Sequence, residues 1–200
     1  MDPRCCRRHL ASGFSLWHTS LLWQGGRDML DTAPTLYLPT IAGNFTSAAA
    51  LGGLGHHDWG WLFLGASVFS WFSLESLIIQ RLWQSKGLPV AQRPLVGIQF
   101  APPVVCSMAW LMLDPGSTDR WLIMMWGYGL FQLLLGLRLR SWLGVQAFPA
   151  SCWTYTFGIS ATTVRRLKLA VAGVGAAQIL AVPIFVGANL FIGYLSIRTA

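Results

Sequence analysis

Residues 36–82 read LYLPTIAGNFTSAAALGGLGHHDWGWLFLGASVFSWFSLESLIIQRL. Between Ala33 and Arg81 the fully charged residues are Asp58, near the middle, and Glu75. His56-His57-Asp58 is therefore one polar knot between two apolar runs. Each run is long enough to cross a bilayer, which takes about 20 residues of helix. The stretch reads as a transmembrane hairpin.

Composition extends that reading to the whole chain. Hydrophobic residues make up 54% of the sequence and charged residues 10%, where soluble domains carry about 25% charge. With a mean hydropathy of +0.52, such a chain cannot clothe a soluble globule in polar side chains. An integral, all-α membrane protein is expected. The net charge of +7 is then read by its position along the chain, and no nucleic-acid partner is expected from it. Arg93, Asp114, Arg120, Arg138, Arg140, Arg165 and Lys168 punctuate uncharged runs at 94–113, 121–137, 141–164 and 169–197. About six full transmembrane helices and a partial one follow.

Residues 1–9, MDPRCCRRH, read as neither a span nor a domain, and residues 10–23 are apolar but short for a span. They read as the second half of a helix. No cleavable signal peptide is expected, since the basic start is followed by a segment containing His18 and no small-residue cleavage site. Cys5, Cys6, Cys106 and Cys152 lack metal-ligand spacing; Cys106 and Cys152 fall in expected spans and read as buried free thiols.

A polar loop at 24–34 leads into the first full helix, which carries Pro39 about a turn in and a body, AGNFTSAAALGG, of small residues. Small residues let transmembrane backbones approach closely, so this helix is expected to be surrounded by protein. Its partner, 59–82, is proline-free and heavy in Trp, Phe, Leu and Ile, and is expected to face lipid. The pattern repeats at 94–113, with Pro102, Pro103 and small residues, followed by 121–139. A third pair opens at Phe148-Pro149, runs through SCWTYTFGISATT and is partnered by 176–197, where Pro183 weakens the contrast. Three hairpins amount to an internal repeat of roughly 50–60 residues, packed as inner helices within outer ones. Arg27, Arg81, Lys86, Arg93, Arg138, Arg140 and Arg198 outnumber Arg120, Arg165, Arg166 and Lys168 on the opposite side, so the first set is placed in the cytoplasm. Trp59, Trp61, Trp83, Trp121 and Trp142 fall near helix ends, as interfacial anchors do.

Few residues offer chemistry. Pro39, Pro102 and Pro149 lie inside or at the start of the small-residue helices, where proline removes a backbone donor and bends the helix. A pore lined by kinked helices would use them; ordinary packing kinks are the bland alternative. Phe157, beside Gly158 and among Thr154, Thr156, Ser160 and Thr162, would suit a hydrophobic constriction, although most such phenylalanines are core. Glu75 is the intramembrane carboxylate; it lies within two turns of Arg81 and reads as structural. His56-His57-Asp58 reads as a solvated turn, because adjacent histidines project in different directions. Asn44-Phe45-Thr46 matches a glycosylation triplet but falls inside a span. No metal, cofactor or catalytic set is expected, and an enzyme reading has little support.

LYLPTIAGNFTSAA, FLGASVFSWFSLESLIIQRL, VGIQFAPPVVCSMAWL, WGYGLFQLLLGLRL and CWTYTFGISA resemble, in order, blocks of the TehA-like tellurite-resistance/dicarboxylate transporter family, to which the plant guard-cell slow anion channels are related. The resemblance runs from about Phe14 to Ile197, so residues 14–200 are assigned to the membrane domain and 1–13 to a segment outside the family. It implies a ten-helix fold of five hairpins, a central pore lined by the kinked helices, and a homotrimer in the bacterial inner membrane. Small anions are the implied cargo: chloride, nitrate, sulfite or dicarboxylates such as malate, with tellurite resistance as an associated property. Phe157 in WTYTFG is then the pore gate, with Pro39, Asn44, Pro102, Pro149 and Thr154 lining the path. Two departures stand out: Ser76 replaces the usual proline after the glutamate, and the Arg165-Arg166-Lys168 loop is unusually basic. The chain is expected to begin within the family's fourth helix and, as an N-terminally truncated form, to conduct weakly. The rival expectation is a non-transporting membrane assembly or regulatory subunit.

Overall fold

The computed structural model describes residues 3–26, 28, 31–84, 88–116, 120–145, 149–171 and 175–199, with side chains outside 3–12 and 164–171. The described residues form helices and turns, and no strand occurs among them. The helices are α1 (Pro3–Trp23), α2 (Gly43–Gly53), α3 (His57–Gln84), α4 (Pro102–Leu113), α5 (Arg120–Arg138), α6 (Arg140–Leu143), α7 (Thr154–Val171), α8 (Gly175–Ile179) and α9 (Ala181–Thr199). A 3-10 turn at Pro34–Leu36 and a π-helical turn at Leu38–Ala42 lead into α2; 3-10 segments at Val90–Phe100 and Ala150–Trp153 lead into α4 and α7. The chain divides into two compact units, Met1–Gly87 with Ala109–Pro115, and Leu88–Met108 with Gly116–Ala200.

In the first unit the expected hairpin is present, and its pairing is antiparallel at every level. Arg81 donates to the Thr32 carbonyl, and the Tyr37 hydroxyl donates to the Glu75 carboxylate. Ser67 Oγ donates to Ile41 O at 2.7 Å. Gly60 faces the Ala48 carbonyl, which a Cβ there would approach to 3.2 Å. The turn itself is narrower than the sequence suggests, because α3 begins at His57, whose Nδ1 lies 2.8 Å from Leu113 O. With 28 residues, α3 is about 42 Å long, well beyond the hydrocarbon thickness of about 30 Å. Trp59 and Trp83, 64% and 82% exposed, stand near its two ends, where interfacial anchors are commonly found. The first helix begins at Pro3, ahead of the expected start at residue 10; proline is tolerated in a first turn, where no intrahelical donor is needed.

In the second unit α7 lies parallel to the Val90–Phe100 segment. Thr154 reaches the Pro94 carbonyl, Tyr155 packs on Gly97, and Gly158 on Phe100. The C-terminal end of α9 returns to the start of α7, where Trp153 Nε1 donates to Thr199 Oγ1 at 3.0 Å. Trp126 on α5 and Ala177 on α8 form a small core with Ile123, Leu130, Leu180 and Ile184. A break at Leu180 separates α8 from α9. Pro183, three residues on, lacks the donor that would have continued the ladder.

Four described helices are long and apolar enough to cross a membrane: His57–Gln84, Val90–Leu113, Arg120–Arg138 and Ala181–Thr199. The kinked rods are broken into shorter segments at their prolines, so they reach the same span only as consecutive pieces. Among these four the small-residue span is the most buried. Within the most apolar stretch of each, 67% of Val90–Leu113 is buried, against 33%, 28% and 11% for His57–Gln84, Arg120–Arg138 and Ala181–Thr199. Cys106 is a buried free thiol and Cys152 a half-buried one. Phe148, Arg27 and Lys86, and the side chains of Arg165, Arg166 and Lys168, lie outside the described residues.

A close backbone approach in the first unit tests this packing. A Cβ at Gly52 would stand 2.5 Å from Met112 O and 2.7 Å from Met112 C, so Gly52→Val has to push two backbones apart, at about 1–3 kcal/mol. Gly65 has nothing within 4 Å, and Gly65→Ala is expected to be neutral or stabilising by up to about 1 kcal/mol. Thermal unfolding in detergent, followed by circular dichroism, should show the first variant melting well below the second.

Candidate functional site

Pro39 stands one residue into the π-helical turn Leu38–Ala42. Without an N–H it cannot close the usual helical ring, and the backbone accommodates this by widening one turn. The widened turn is pinned from both sides. Ser67 of α3 takes the Ile41 carbonyl, and Thr40 Oγ1 meets Thr19 Oγ1 of α1 at 3.0 Å. Asn44 Nδ2 donates to the Thr40 carbonyl at 2.8 Å. The half-buried Pro39 and Asn44 thus lie on one bent rod, with the Asn44 amide spent on the bend itself. Phe14, His18, Leu36, Leu38, Pro39 and Gly43 border an open groove of about 600 Å³ on the same rod.

Glu75 is buried opposite the mouth of that bend. Its Oε2 accepts from the Tyr37 hydroxyl and, at 3.2 Å, from Trp71 Nε1. The Arg81 partnership that spacing suggests is not the one formed, since Arg81 is itself buried and reaches the Thr32 carbonyl. Both groups therefore hold the α3 side of the hairpin to the chain around Pro34–Ala42. The departure at Ser76 has a visible result: α3 continues through it, and Ser76 Oγ donates to Phe72 O at 2.9 Å.

In the second unit Pro102 opens α4 where the 3-10 segment ends, at Ala101. Pro149 has an extended backbone, φ −91° and ψ 150°, and stands ahead of the Ala150–Trp153 turn. It sets the start of that rod and does not kink it. Thr154 Oγ1 lies 2.9 Å from Pro94 O and 2.8 Å from Ser151 O. Thr156 donates to Trp153 O of the preceding turn, and Ser160, Thr162 and Thr163 to carbonyls of α7, at 2.7–3.1 Å. A helix that looked hydroxyl-lined thus returns its hydroxyl protons to its own backbone. Phe157 is left as its prominent exposed aromatic, 56% exposed, two residues from the buried Tyr155.

Sequence reading missed three contributors. Tyr37 is one; its position mirrors Glu75 across the hairpin turn, and that symmetry was the available signal. Phe100 and Gly136 are the others, and nothing local to either residue marks them.

Apolar spans, proline-bent rods and glycine-packed helices define a multi-pass α-helical membrane protein. Residues 9–200 match the family described as SLAC1, voltage-dependent anion channel, and the chain belongs to that family. It is similar to the tellurite resistance protein TehA homolog of Haemophilus influenzae, with 36% identity over 187 residues, 93% of this chain and 56% of that protein. The chain thus spans about half the length of that curated relative.

The buried carboxylate gives a direct test. Tyr37→Phe removes a donor from a buried acceptor and is expected to cost about 1–3 kcal/mol. Glu75→Gln keeps an acceptor oxygen for both donors and should cost less. Thermal melts in nanodiscs, read by near-ultraviolet dichroism of the tryptophans, should rank the two in that order.

Proposed function

We propose that this chain forms part of a conduit for small anions across the bacterial inner membrane, with Phe157 as its gate. Residues 14–200 make up the membrane domain, and the protomers associate as homotrimers. Pro39, Asn44, Pro102, Pro149 and Thr154 mark the rods that line the path; Glu75 serves structure. Chloride, nitrate, sulfite, C4-dicarboxylates and tellurite oxyanions form the class of cargo.

The observation that carries this reading is the setting of Phe157. Its helix spends its hydroxyls on its own carbonyls and packs Gly158 against Phe100, yet leaves the Phe157 ring more than half exposed. A free ring on a fixed helix is what a hydrophobic constriction requires. Charge adds support: residues 88–108 and 116–200 carry eight arginines and lysines against one acid, Asp119, so the whole excess of +7 lies there. A field of one sign concentrates counter-ions of the other, here anions.

Each 1.4 kcal/mol removed from a barrier raises a rate about tenfold. Phe157→Ala is therefore expected to raise chloride and nitrate flux into proteoliposomes about tenfold or more. Flux should be larger when the part of the H. influenzae relative outside the matched region is supplied as well. Unchanged flux on Phe157→Ala in a conducting preparation would reject the gate. Negligible flux in every form would favour a non-transporting assembly role.

A further inference from the structure

Phe100, at the last position of the Val90–Phe100 segment, is held between two glycines of two other helices. On one side its backbone lies against Gly158 of α7. A Cβ at Gly158 would be 2.9 Å from Phe100 Cβ, 3.0 Å from its carbonyl carbon and 3.1 Å from its oxygen. On the other side its ring tip enters the space over Gly136 of α5, where a Cβ would meet Cζ at 2.7 Å and Cε2 at 2.8 Å. The ring also lies 5.5 Å, centroid to centroid, from Tyr155, one turn before Gly158. Gly97, one turn before Phe100, completes the joint: a Cβ there would be 2.6 Å from Thr154 Oγ1 and 2.9 Å from the Tyr155 ring. Phe100 is 4% exposed.

These distances leave no slack. Real Cβ contacts essentially never fall below 3.0 Å, so α5, Phe100 and α7 can occupy this arrangement only with hydrogen at positions 97, 136 and 158. A packed interior transmits displacement instead of absorbing it. A methyl at position 136 has to displace the Phe100 ring, and the packed surroundings of the ring carry that displacement toward its backbone and Gly158. Phe157 is the residue before Gly158, about 100° round the same helix.

We propose that Phe100 is a positioning residue for Phe157: wedged between Gly136 and Gly158, it fixes where α7 holds the Phe157 ring. The inference rests on the gate reading for its functional meaning, but its geometry is tested apart from conduction. Gly136→Ala intrudes on the ring tip from a helix that does not carry Phe157. Phe100→Leu shortens the wedge and makes room for the added methyl.

The experiment places 4-fluorophenylalanine at position 157 of the full chain in nanodiscs and records its fluorine resonance. Gly136→Ala should move or split that resonance beyond its own linewidth, and Gly136→Ala with Phe100→Leu should bring it back. The same label at Phe69, exposed on α3, should stay in place in all forms. A resonance at 157 that ignores Gly136→Ala would overturn the proposal, as would failure of Phe100→Leu to restore it. An equal shift at Phe69 would also overturn it, since that marks general loosening. Because the readout is position and not flux, failure here and failure of Phe157→Ala to raise flux are separate results.

Discussion

Within hydrocarbon no water is available to take an unpaired backbone group, and this single requirement shapes most of what the chain does. Each proline in a rod leaves a carbonyl without its usual donor. In the first unit, side-chain donors gather on carbonyls around the Pro39 bend: Ser67 on Ile41, Asn44 on Thr40 and Arg81 on Thr32. In the second, Pro102 has no N–H for the Ile98 carbonyl, which Ala101 N takes at 3.2 Å, while Ser107 bonds the Pro103 carbonyl at 3.0 Å and Thr154 the Pro94 carbonyl at 2.9 Å. The small polar residues of these helices thus give their donors to backbone carbonyls near the bends. They explain why a sequence rich in Ser and Thr can still live in a membrane.

The same requirement decides what was legible in the sequence. The 36–82 hairpin could be read because its signals are local: a small-residue run, a polar turn and an aromatic run in succession. The antiparallel pairing then follows from the turn, and the Tyr37–Glu75 contact lies on it. The form of the bends was not legible. Pro39 announces a bend, but whether it widens into a π-helical turn depends on what α1 and α3 offer across the gap. The 11-residue 3-10 segment Val90–Phe100 is longer than such helices usually run, and no propensity in VAQRPLVGIQF foretells it. Its cause is tertiary: a narrower helix brings Gly97 and Phe100 onto Thr154, Tyr155 and Gly158. Pro149 shows the limit from the other side, since a proline ahead of a helix and a proline within one look alike in a sequence.

Charge follows a division of labour of its own. The intramembrane carboxylate is committed to Tyr37 and Trp71 within the first unit, whose six acids balance its six bases. In the second unit positive charge is almost unopposed. The acid that accepts from Tyr37 and Trp71 holds the hairpin together through neutral donors.

A phenyl ring that blocks a path has to reconcile two opposing demands. It must be loose enough to swing between rotamers, which costs about a kcal/mol when neighbours do not interfere. Its base must be rigid, because a backbone that drifts by an ångström opens the path whatever the ring does. In the proposed reading the second unit separates the two demands between adjacent residues. Gly158 is clamped through Phe100 to Gly136, and Thr162 bonds back to the Gly158 carbonyl at 2.7 Å. Phe157, one position earlier, is left exposed. A glycine is required at the clamp because only hydrogen fits there, and the aromatic beside it gains its freedom from the rotation of about 100° that one helical step provides. In the proposed reading, then, the Phe-Gly pair is the working unit: the glycine supplies the fixed point that gives the phenylalanine's motion a consequence.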